Sequence, residues 1–144
     1  MIPSSIITLS EKETQDFAIQ CAKSASPDDI FLLNGDLGAG KSVFARAFIQ
    51  HLAGEKIDVP SPTFTLVQTY STPKASIWHF DLYRLESPDE IYELGWEEAL
   101  INNILLIEWS ERLDHLKPSR YKEIIIKPLP NESRKITFNQ IENV

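Results

Sequence analysis

The chain has 144 residues, of which 42% are hydrophobic, and its 14 basic and 21 acidic side chains give a net charge of −7 at pH 7. This length and hydrophobic fraction favour one compact domain, residues 1–144, with a core of its own. The acidic balance argues against a general electrostatic grip on nucleic acid or on an anionic membrane, and the single cysteine excludes an internal disulfide.

The first predicted elements are a short strand at 6–9 and a helix that follows it. Ser10 and Glu13 form a capping-box pattern, which is typical of a helix start. Apolar residues then recur on one face of the predicted helix, namely Phe17, Ala18, Cys21 and Ala22. After a turn at 24–29, the apolar run at 30–33 indicates a strand buried in a parallel sheet.

Residues 35–42 form a complete phosphate-binding pattern, GxxxxGK[ST]. Glycines let backbone N–H groups point at an anion, Lys41 can place its ammonium between the β- and γ-phosphates, and the Ser42 hydroxyl can ligate Mg²⁺. A helical apolar stripe follows and is closed by Gly54. The order of strand, loop and helix predicts a site for a nucleoside triphosphate and Mg²⁺, the alternative being a glycine-rich turn. The predicted nucleotide-binding residues in this loop are Gly35, Asp36, Leu37, Gly38, Ala39, Gly40, Lys41 and Ser42.

The rest of the chain alternates between predicted strands and short helices. A proline-bearing loop at 55–62 precedes a β-rich segment at 63–70 and a strand at 76–82. Two short helical stretches follow, the first opened at Ser87 and halted by Gly95, the second broken at Asn102. The apolar strand at 104–107 comes next, and segments 121–129 and 134–139 form a terminal strand pair.

Two carboxylates follow apolar strands, where a phosphate-loop site needs one to hold Mg²⁺ or to order the attacking water. Glu108 ends the most apolar strand, and Asp81 shares a strand face with Ile77 and His79. We interpret both as catalytic candidates; the alternative is a strand-end carboxylate in solvent or in a salt bridge. Spacing leaves open which of the two lies nearer the metal.

Other candidates depend more on context. Thr63, in the segment 61–65, could complete the Mg²⁺ shell, or it could belong to a turn that leads into a strand. Arg84 could supply charge to a transition state, although a surface ion pair is the commoner role. Trp109 could cover a base or a partner surface, or it could pack in the core. The three histidines lack the spacing of a zinc site, both among themselves and with Cys21.

Taken together, these motifs resemble the bacterial TsaE family, the ATPase subunit of tRNA threonylcarbamoyladenosine biosynthesis. The resemblance covers residues 6–127 in order, and it rests on the phosphate loop, on Ser61-Pro62-Thr63, on His79-Phe80-Asp81-Leu82-Tyr83-Arg84-Leu85 and on Ile107-Glu108-Trp109-Ser110-Glu111. It implies a three-layer P-loop NTPase fold of the α/β class, with a mostly parallel central sheet and antiparallel strands at one end.

The resemblance also implies chemistry and partners. Lys41 would contact the β- and γ-phosphates of ATP, and Ser42 and Glu108 would hold Mg²⁺. Asp81 would lie near the γ-phosphate, Thr63 would belong to a nucleotide-sensing loop, and the turn at Ser10 and Glu11 would border the base. The family works with the TsaB and TsaD proteins, so tRNA would be reached only through that complex.

Two other functions require the same loop. A small-molecule kinase would add an acceptor pocket and a closing lid with arginines, and a GTP-dependent switch would carry an Asn-Lys-x-Asp segment, which the chain lacks. A nucleotide-binding scaffold that never hydrolyses ATP is a third possibility. Since there is one cysteine and no run near the roughly 20 apolar residues of a membrane span, we expect a cytoplasmic protein without membrane contact.

Overall fold

The computed structural model describes residues 2–36 and 38–142 of the chain. Its strands are β1 (Ser5–Thr8), β2 (Ile30–Asn34), β3 (Val67–Ser71), β4 (Ser76–Asp81), β5 (Asn103–Glu108), β6 (Arg120–Pro128) and β7 (Arg134–Glu142). Its α-helices are α1 (Glu11–Ser24), α2 (Lys41–Ala53) and α3 (Trp96–Ala99), and its 3₁₀ helices are Pro88–Leu94 and Ser110–Leu116. Within these ranges, no helix is long and apolar enough to cross a membrane.

All seven strands belong to one sheet with the order β1-β7-β6-β2-β5-β4-β3. Strands β6, β2, β5 and β4 run parallel in the centre, which confirms the predicted α/β class. Antiparallel strands lie at both edges, however, and not at one end as expected. The reason is connection length: β3–β4 and β6–β7 are joined by short turns, and short turns can join only antiparallel neighbours.

The parallel centre brings the carboxyl ends of three strands to one edge of the sheet. Glu108 of β5 lies beside Leu33 of β2 on one side and beside Asp81 of β4 on the other. The predicted phosphate loop leaves β2 at this same edge. The register therefore places both candidate carboxylates next to the loop, as expected for an open parallel sheet.

Helices α1 and α2 cover one face of the sheet. Phe44 and Phe48 of α2 are fully buried there, and the ring of Phe48 meets that of Phe31 of β2 edge-on at 5.1 Å between centroids. Each such buried aromatic contributes roughly 1.5–3 kcal/mol of hydrophobic stabilisation. Helix α1 adds Phe17 and Cys21 to the same core.

Short helices cover the opposite face. Ile91 of the first 3₁₀ helix, Trp96 of α3 and Leu113 of the second 3₁₀ helix pack with Phe80 and Ile107 of the sheet. The ring of Trp96 meets that of Phe80 edge-on at 5.7 Å. The sheet is thus enclosed between two helical layers, which confirms the expected three-layer arrangement.

The structure corrects several predicted elements. The β-rich segment at 63–70 becomes a strand only from Val67, because Leu66 has a left-handed φ of 69° that interrupts the extended backbone. The helical stretch predicted to open at Ser87 and to end at Gly95 is confirmed; it is a 3₁₀ helix, and Gly95 has a φ of 89°. The 3₁₀ helix Ser110–Leu116 was not predicted.

The predicted capping box at the start of α1 is present. The Ser10 hydroxyl accepts from the Glu13 N–H at 3.2 Å, and the Glu13 carboxylate in turn accepts from the N–H of Leu9 at 3.0 Å. The second bond of the capping box therefore involves Leu9, the residue before the N-cap, and not Ser10 itself. Both bonds fix the chain entry into α1 beside the phosphate loop.

Candidate functional site

Backbone geometry explains two glycines of the phosphate loop. A Cβ at Gly35 would lie 2.7 Å from the carbonyl oxygen of Ile126 in β6, so a larger residue there would collide with backbone. Gly40 has a left-handed φ of 111° and is the N-cap of α2. The loop therefore turns tightly as it leaves the sheet. The N-terminus of α2 faces the concave side of the loop, where the positive end of the helix dipole favours an anion.

The loop residues differ in exposure. Asp36 and Gly38 are exposed, and Ala39 is buried. Leu37, which we predicted to contact nucleotide, lies outside the described residues.

Arg134, at the start of β7, supports this loop and was not predicted. Its Nε donates to the carbonyl of Ala39 at 2.8 Å, and its Nη1 donates to the carbonyls of Glu132 and Ser133 at 3.0 and 3.3 Å. The sequence carried little signal for this role, because 95 residues separate Arg134 from Ala39. Its position depends on the hairpin that returns β7 beside β6.

Lys41 is the charged centre of the site. Only 6% of its surface is exposed, although a lysine is seldom buried without a partner. Its Nζ lies 3.9 Å from Glu108 Oε1 and 4.4 Å from the centre of the Trp109 ring. The carboxylate and the aromatic face compensate the ammonium, which is thereby held at the edge of the phosphate loop.

Trp109 owes this position to its backbone. Its φ of 60° is in the left-handed region, where a bulky residue is uncommon, and it is the N-cap of the 3₁₀ helix Ser110–Leu116. Its ring also lies 4.8 Å from the ring of Tyr83. We predicted that Trp109 covers a base or a partner surface, with packing in the core as the alternative; in the structure its ring contacts the lysine of the phosphate loop.

The two candidate carboxylates have different partners. Glu108 pairs with Lys41, whereas Asp81 accepts from the Thr63 hydroxyl at 3.1 Å and from the Tyr83 N–H at 3.0 Å. The Thr63 hydroxyl also lies 2.8 Å from that of Ser61. Glu108 is therefore the carboxylate bound to the phosphate loop, and Asp81 is the one bound to the loop at 61–65.

His79 completes the buried cluster. Its Nε2 lies 2.7 Å from Glu108 Oε2, and only 3% of its surface is exposed. Sequence reasoning considered the histidines only as zinc ligands and missed this contact. The available signal was the spacing of two between His79 and Asp81, which places both on one strand face.

A cavity of about 340 Å³ opens on one side of the phosphate loop. It lies between the start of α1 and Gly40, and its lining includes Ser10, Glu11, Thr14 and Arg134. Glu11, predicted at the base, lies in this lining. A second cavity of about 330 Å³ opens on the other side of the loop and is lined by Asp36, Lys41, Trp109, Glu111 and Lys117. The loop thus lies between two open spaces.

The donors near the loop fit Mg²⁺ when phosphate oxygens complete the shell. Ser42 is exposed in the first turn of α2, and the Glu108 carboxylate supplies a hard oxygen beside Lys41. Across residues 2–36 and 38–142, no group of three or more His, Cys, Asp or Glu side chains could hold a metal ion alone.

Arg84 points elsewhere. Its guanidinium lies 4.5 Å from the ring centre of Phe64, whose own surface is 81% exposed. The described contacts therefore place Arg84 on the outer surface of the 61–65 loop and give no sign of a catalytic role. His115 lies 3.9 Å from Asp89 in an exposed pair, away from the loop.

Comparison with known proteins gives a consistent result. A family model described as "Threonylcarbamoyl adenosine biosynthesis protein TsaE" matches residues 8–136. The chain is 53% identical over 125 residues to the tRNA threonylcarbamoyladenosine biosynthesis protein TsaE of Rickettsia prowazekii, covering 87% of each chain. It is 36% identical over 137 residues to the Bacillus subtilis protein of the same name, covering 94% of this chain and 85% of that one.

A solved structure resembles the fold as well. The crystal structure of Bacillus subtilis YdiB superposes with a TM-score of 0.79 at 30% sequence identity. The match covers 96% of this chain and 86% of that chain. The similarity therefore extends over the sheet and over both sides of the phosphate loop.

Proposed function

Because the chain belongs to the TsaE family, we propose that it acts in threonylcarbamoyladenosine modification of tRNA as a Mg²⁺-dependent ATPase. The single observation that carries the ATPase assignment is the contact of 3.9 Å between Lys41 Nζ and Glu108 Oε1 at the phosphate loop. A buried lysine and a strand-end carboxylate at this place form the charge arrangement that phosphoryl transfer needs.

Each residue of the cluster has a role in this proposal. Lys41 exchanges the Glu108 carboxylate for the β- and γ-phosphates, while the backbone N–H groups of the loop and the start of α2 hold the phosphate oxygens. Ser42 and Glu108 would hold Mg²⁺, which would supply positive charge beside the transferring phosphoryl group. Asp81 orients the attacking water near the γ-phosphate. The cavity beside Glu11 and Arg134 accommodates the base and ribose.

Hydrolysis is coupled to the loop at 61–65 in this proposal. Thr63 binds Asp81, so a change at the γ-phosphate reaches the loop through one hydrogen bond. The next residue, Phe64, is 81% exposed, which is high for a large apolar side chain. The loop therefore presents an apolar contact whose position depends on the nucleotide, and we assign it to the TsaB–TsaD pair.

The charge of the chain supports an accessory role. Its net charge of −7 disfavours tRNA as a direct ligand, so the partners bind the tRNA and this subunit acts on them in the cytoplasm. In the family, transfer of the threonylcarbamoyl group is the work of the partners. Slow ATP turnover by the isolated subunit and faster turnover in the complex are expected.

The test is reconstitution with TsaB, TsaD, tRNA, ATP and a threonylcarbamoyl donor. Wild-type protein should support repeated rounds of tRNA modification with release of free phosphate. Lys41→Ala and Glu108→Ala should each reduce phosphate release at least about 100-fold, which corresponds to about 2.7 kcal/mol. Lys135→Ala, an exposed residue of β7, is the matched control and should behave as wild type.

Several results would contradict the proposal. A phosphorylated metabolite in place of free phosphate would identify a kinase, and preference for GTP over ATP in competition would identify a guanine-nucleotide switch. Full modification in the absence of this chain would refute the accessory role. If the Lys41→Ala variant hydrolysed ATP at the wild-type rate, the assignment of the phosphate loop as the site of hydrolysis would be wrong.

A further inference from the structure

We propose that His79 is a positioning residue that orients the Glu108 carboxylate toward the nucleotide-bound metal. The inference rests on the proposed function, because it concerns how Glu108 is presented to Mg²⁺. None of the sequence motifs assigned a role to this histidine. The structure does so through one short contact.

The contact is short and shielded from solvent. His79 Nε2 lies 2.7 Å from Glu108 Oε2, and the side chains of His79 and Glu108 are 3% and 8% exposed. A carboxylate can only accept, so Nε2 is the donor. Hydrogen bonds of neutral donors to a charged acceptor are stronger than neutral pairs, and burial strengthens them further.

The other ring nitrogen supports this assignment. His79 Nδ1 is buried and has no hydrogen-bond partner among residues 2–36 and 38–142. A buried polar atom without a partner is costly, and such atoms are rare in native proteins. The ring therefore makes a single polar contact within the described chain, and that contact is to Glu108.

Strand geometry makes the contact directional. In β4, His79 shares a face with Ile77 and Asp81, and in β5 Glu108 shares that face with Leu106. His79 lies beside Leu106 in the register, two residues before the Asp81–Glu108 pair. The imidazole thus reaches Glu108 from β4, which lies on the other side of β5 from β2, the strand that leads into the phosphate loop.

Because of this approach, the two carboxylate oxygens of Glu108 have different partners. His79 occupies Oε2, and Oε1 is left facing Lys41. When the phosphates draw Lys41 away, Oε1 remains fixed and available to the metal. Without the imidazole, both oxygens could rotate toward Lys41, which would weaken metal binding and retain the lysine. Loss of a hydrogen bond that orients a metal-binding side chain typically weakens metal affinity by 10- to 100-fold.

Two polar variants separate positioning from packing. The terminal nitrogen of Gln can occupy the place of Nε2, whereas that of Asn reaches only to the level of Nδ1. His79→Gln should therefore preserve the bond to Glu108, and His79→Asn should lose it. Both must first show a cooperative thermal transition near that of the wild type.

The measurement is binding of Mn²⁺ in the presence of ADP, followed by the loss of the free-Mn²⁺ paramagnetic resonance signal. His79→Asn should weaken Mn²⁺ binding at least 10-fold, and His79→Gln should remain within about threefold of wild type. ADP binding in excess EDTA should be unchanged in both. In a Glu108→Gln background, His79→Asn should have no further effect, because the partner of the imidazole has already been altered.

The outcomes distinguish the two proposals. If wild type binds Mn²⁺ with ADP and His79→Asn binds it equally well, His79 is not a positioning residue while the ATPase site stands. Equal losses in His79→Asn and His79→Gln would also overturn the inference, because they would indicate packing. If wild type with ADP binds no Mn²⁺, the metal assignment in the proposed function fails, and this inference fails with it.

Discussion

Arg134 Nε donates a hydrogen bond of 2.8 Å to the carbonyl oxygen of Ala39, so that β7, the last strand in the chain, holds the phosphate loop. A Cβ at Gly40 would lie 3.5 Å from the same Nε, which shows how closely the guanidinium follows the loop. Arg134 also lines the cavity that contains Ser10 and Glu11. One side chain thus fixes the loop backbone and borders the space beside it.

Replacement of Arg134 by alanine should weaken nucleotide binding. A charged hydrogen-bond donor to the loop is lost, and such bonds contribute about 1.5–3 kcal/mol, so ADP affinity should fall by about 10- to 100-fold. Isothermal titration calorimetry with ADP measures this directly. Arg120→Ala is the matched control, since Arg120 starts β6 at the opposite edge of the parallel strands. Equal affinities of the two variants would contradict the prediction.

Thr63→Val should separate nucleotide binding from turnover. Valine preserves the shape of threonine but removes the hydroxyl that donates to Asp81 Oδ2 at 3.1 Å. ATP turnover in the reconstituted complex should fall about 10-fold, because Asp81 loses one of the groups that orient it, while ADP affinity should change less than about threefold.

Thr65→Val is the control for this experiment. Thr65 lies two residues further along the same loop, and its hydroxyl accepts from the Gln68 amide at 3.0 Å and is exposed. Removing an exposed hydrogen bond should leave turnover near wild type. Parallel losses in both variants would point to general loosening of the loop and would argue against a specific role for Thr63.

Lys74→Met should lower the stability of the fold. Lys74 lies in the turn between β3 and β4, and its Nζ donates to the carbonyls of Ala22, Lys23 and Ala25 at 3.2, 3.2 and 2.7 Å. These carbonyl groups lie at the C-terminus of α1, where a positive charge also interacts favourably with the helix dipole. The loss should cost about 1–2 kcal/mol and lower the Tm by about 3–6 °C in a thermal unfolding experiment.

Lys12→Met is the control for the effect of Lys74→Met on the C-terminus of α1. Its ion pair with Asp16 at 3.2 Å lies on α1, with 79% and 58% of the two side chains exposed. Exposed pairs of this kind contribute only about 0.3–0.5 kcal/mol. A Tm change in Lys12→Met as large as that in Lys74→Met would show that Lys74 acts through charge alone and not as a cap of α1.

Alkaline pH should destabilise the protein partly through Cys21. Burial raises the pKa of this thiol from 9.0 to about 12, although the positive charge of Lys122 opposes the shift. Between these values the unfolded state releases the proton and the folded state keeps it, so the free energy of unfolding falls as pH rises. At pH 10, one unit above the unfolded pKa, the loss from this group should be about 1.4 kcal/mol.

Urea unfolding of wild type and Cys21→Ala from pH 7 to pH 10 measures this contribution. The alanine variant is expected to be less stable at pH 7, because it leaves a small cavity in the core, but its stability should decline less steeply above pH 9. Identical slopes in the two proteins would contradict the prediction. Since the thiol remains protonated, Cys21 should also resist alkylation at pH 8 while the protein is folded.

The chain sequence by itself determined most of the regular elements and the phosphate-binding pattern of the loop. The order of strand, glycine-rich loop and helix at 30–53, the cap at Ser10 and the terminal strand pair are local patterns, and local patterns survive in the fold because backbone and packing requirements agree there. The same reasoning located Lys41, Asp81 and Glu108, since each ends or opens a regular element.

Tertiary structure alone decided how these residues are connected. That Glu108 and not Asp81 pairs with Lys41 depends on the register of β2, β4 and β5, which no spacing in the chain specifies. The contacts of His79 and Arg134 reach across 29 and 95 residues, and the Thr63 hydroxyl reaches Asp81 across 18 residues. Long-range pairing is set by the packing of the whole sheet, so these relationships appear only once the chain is folded.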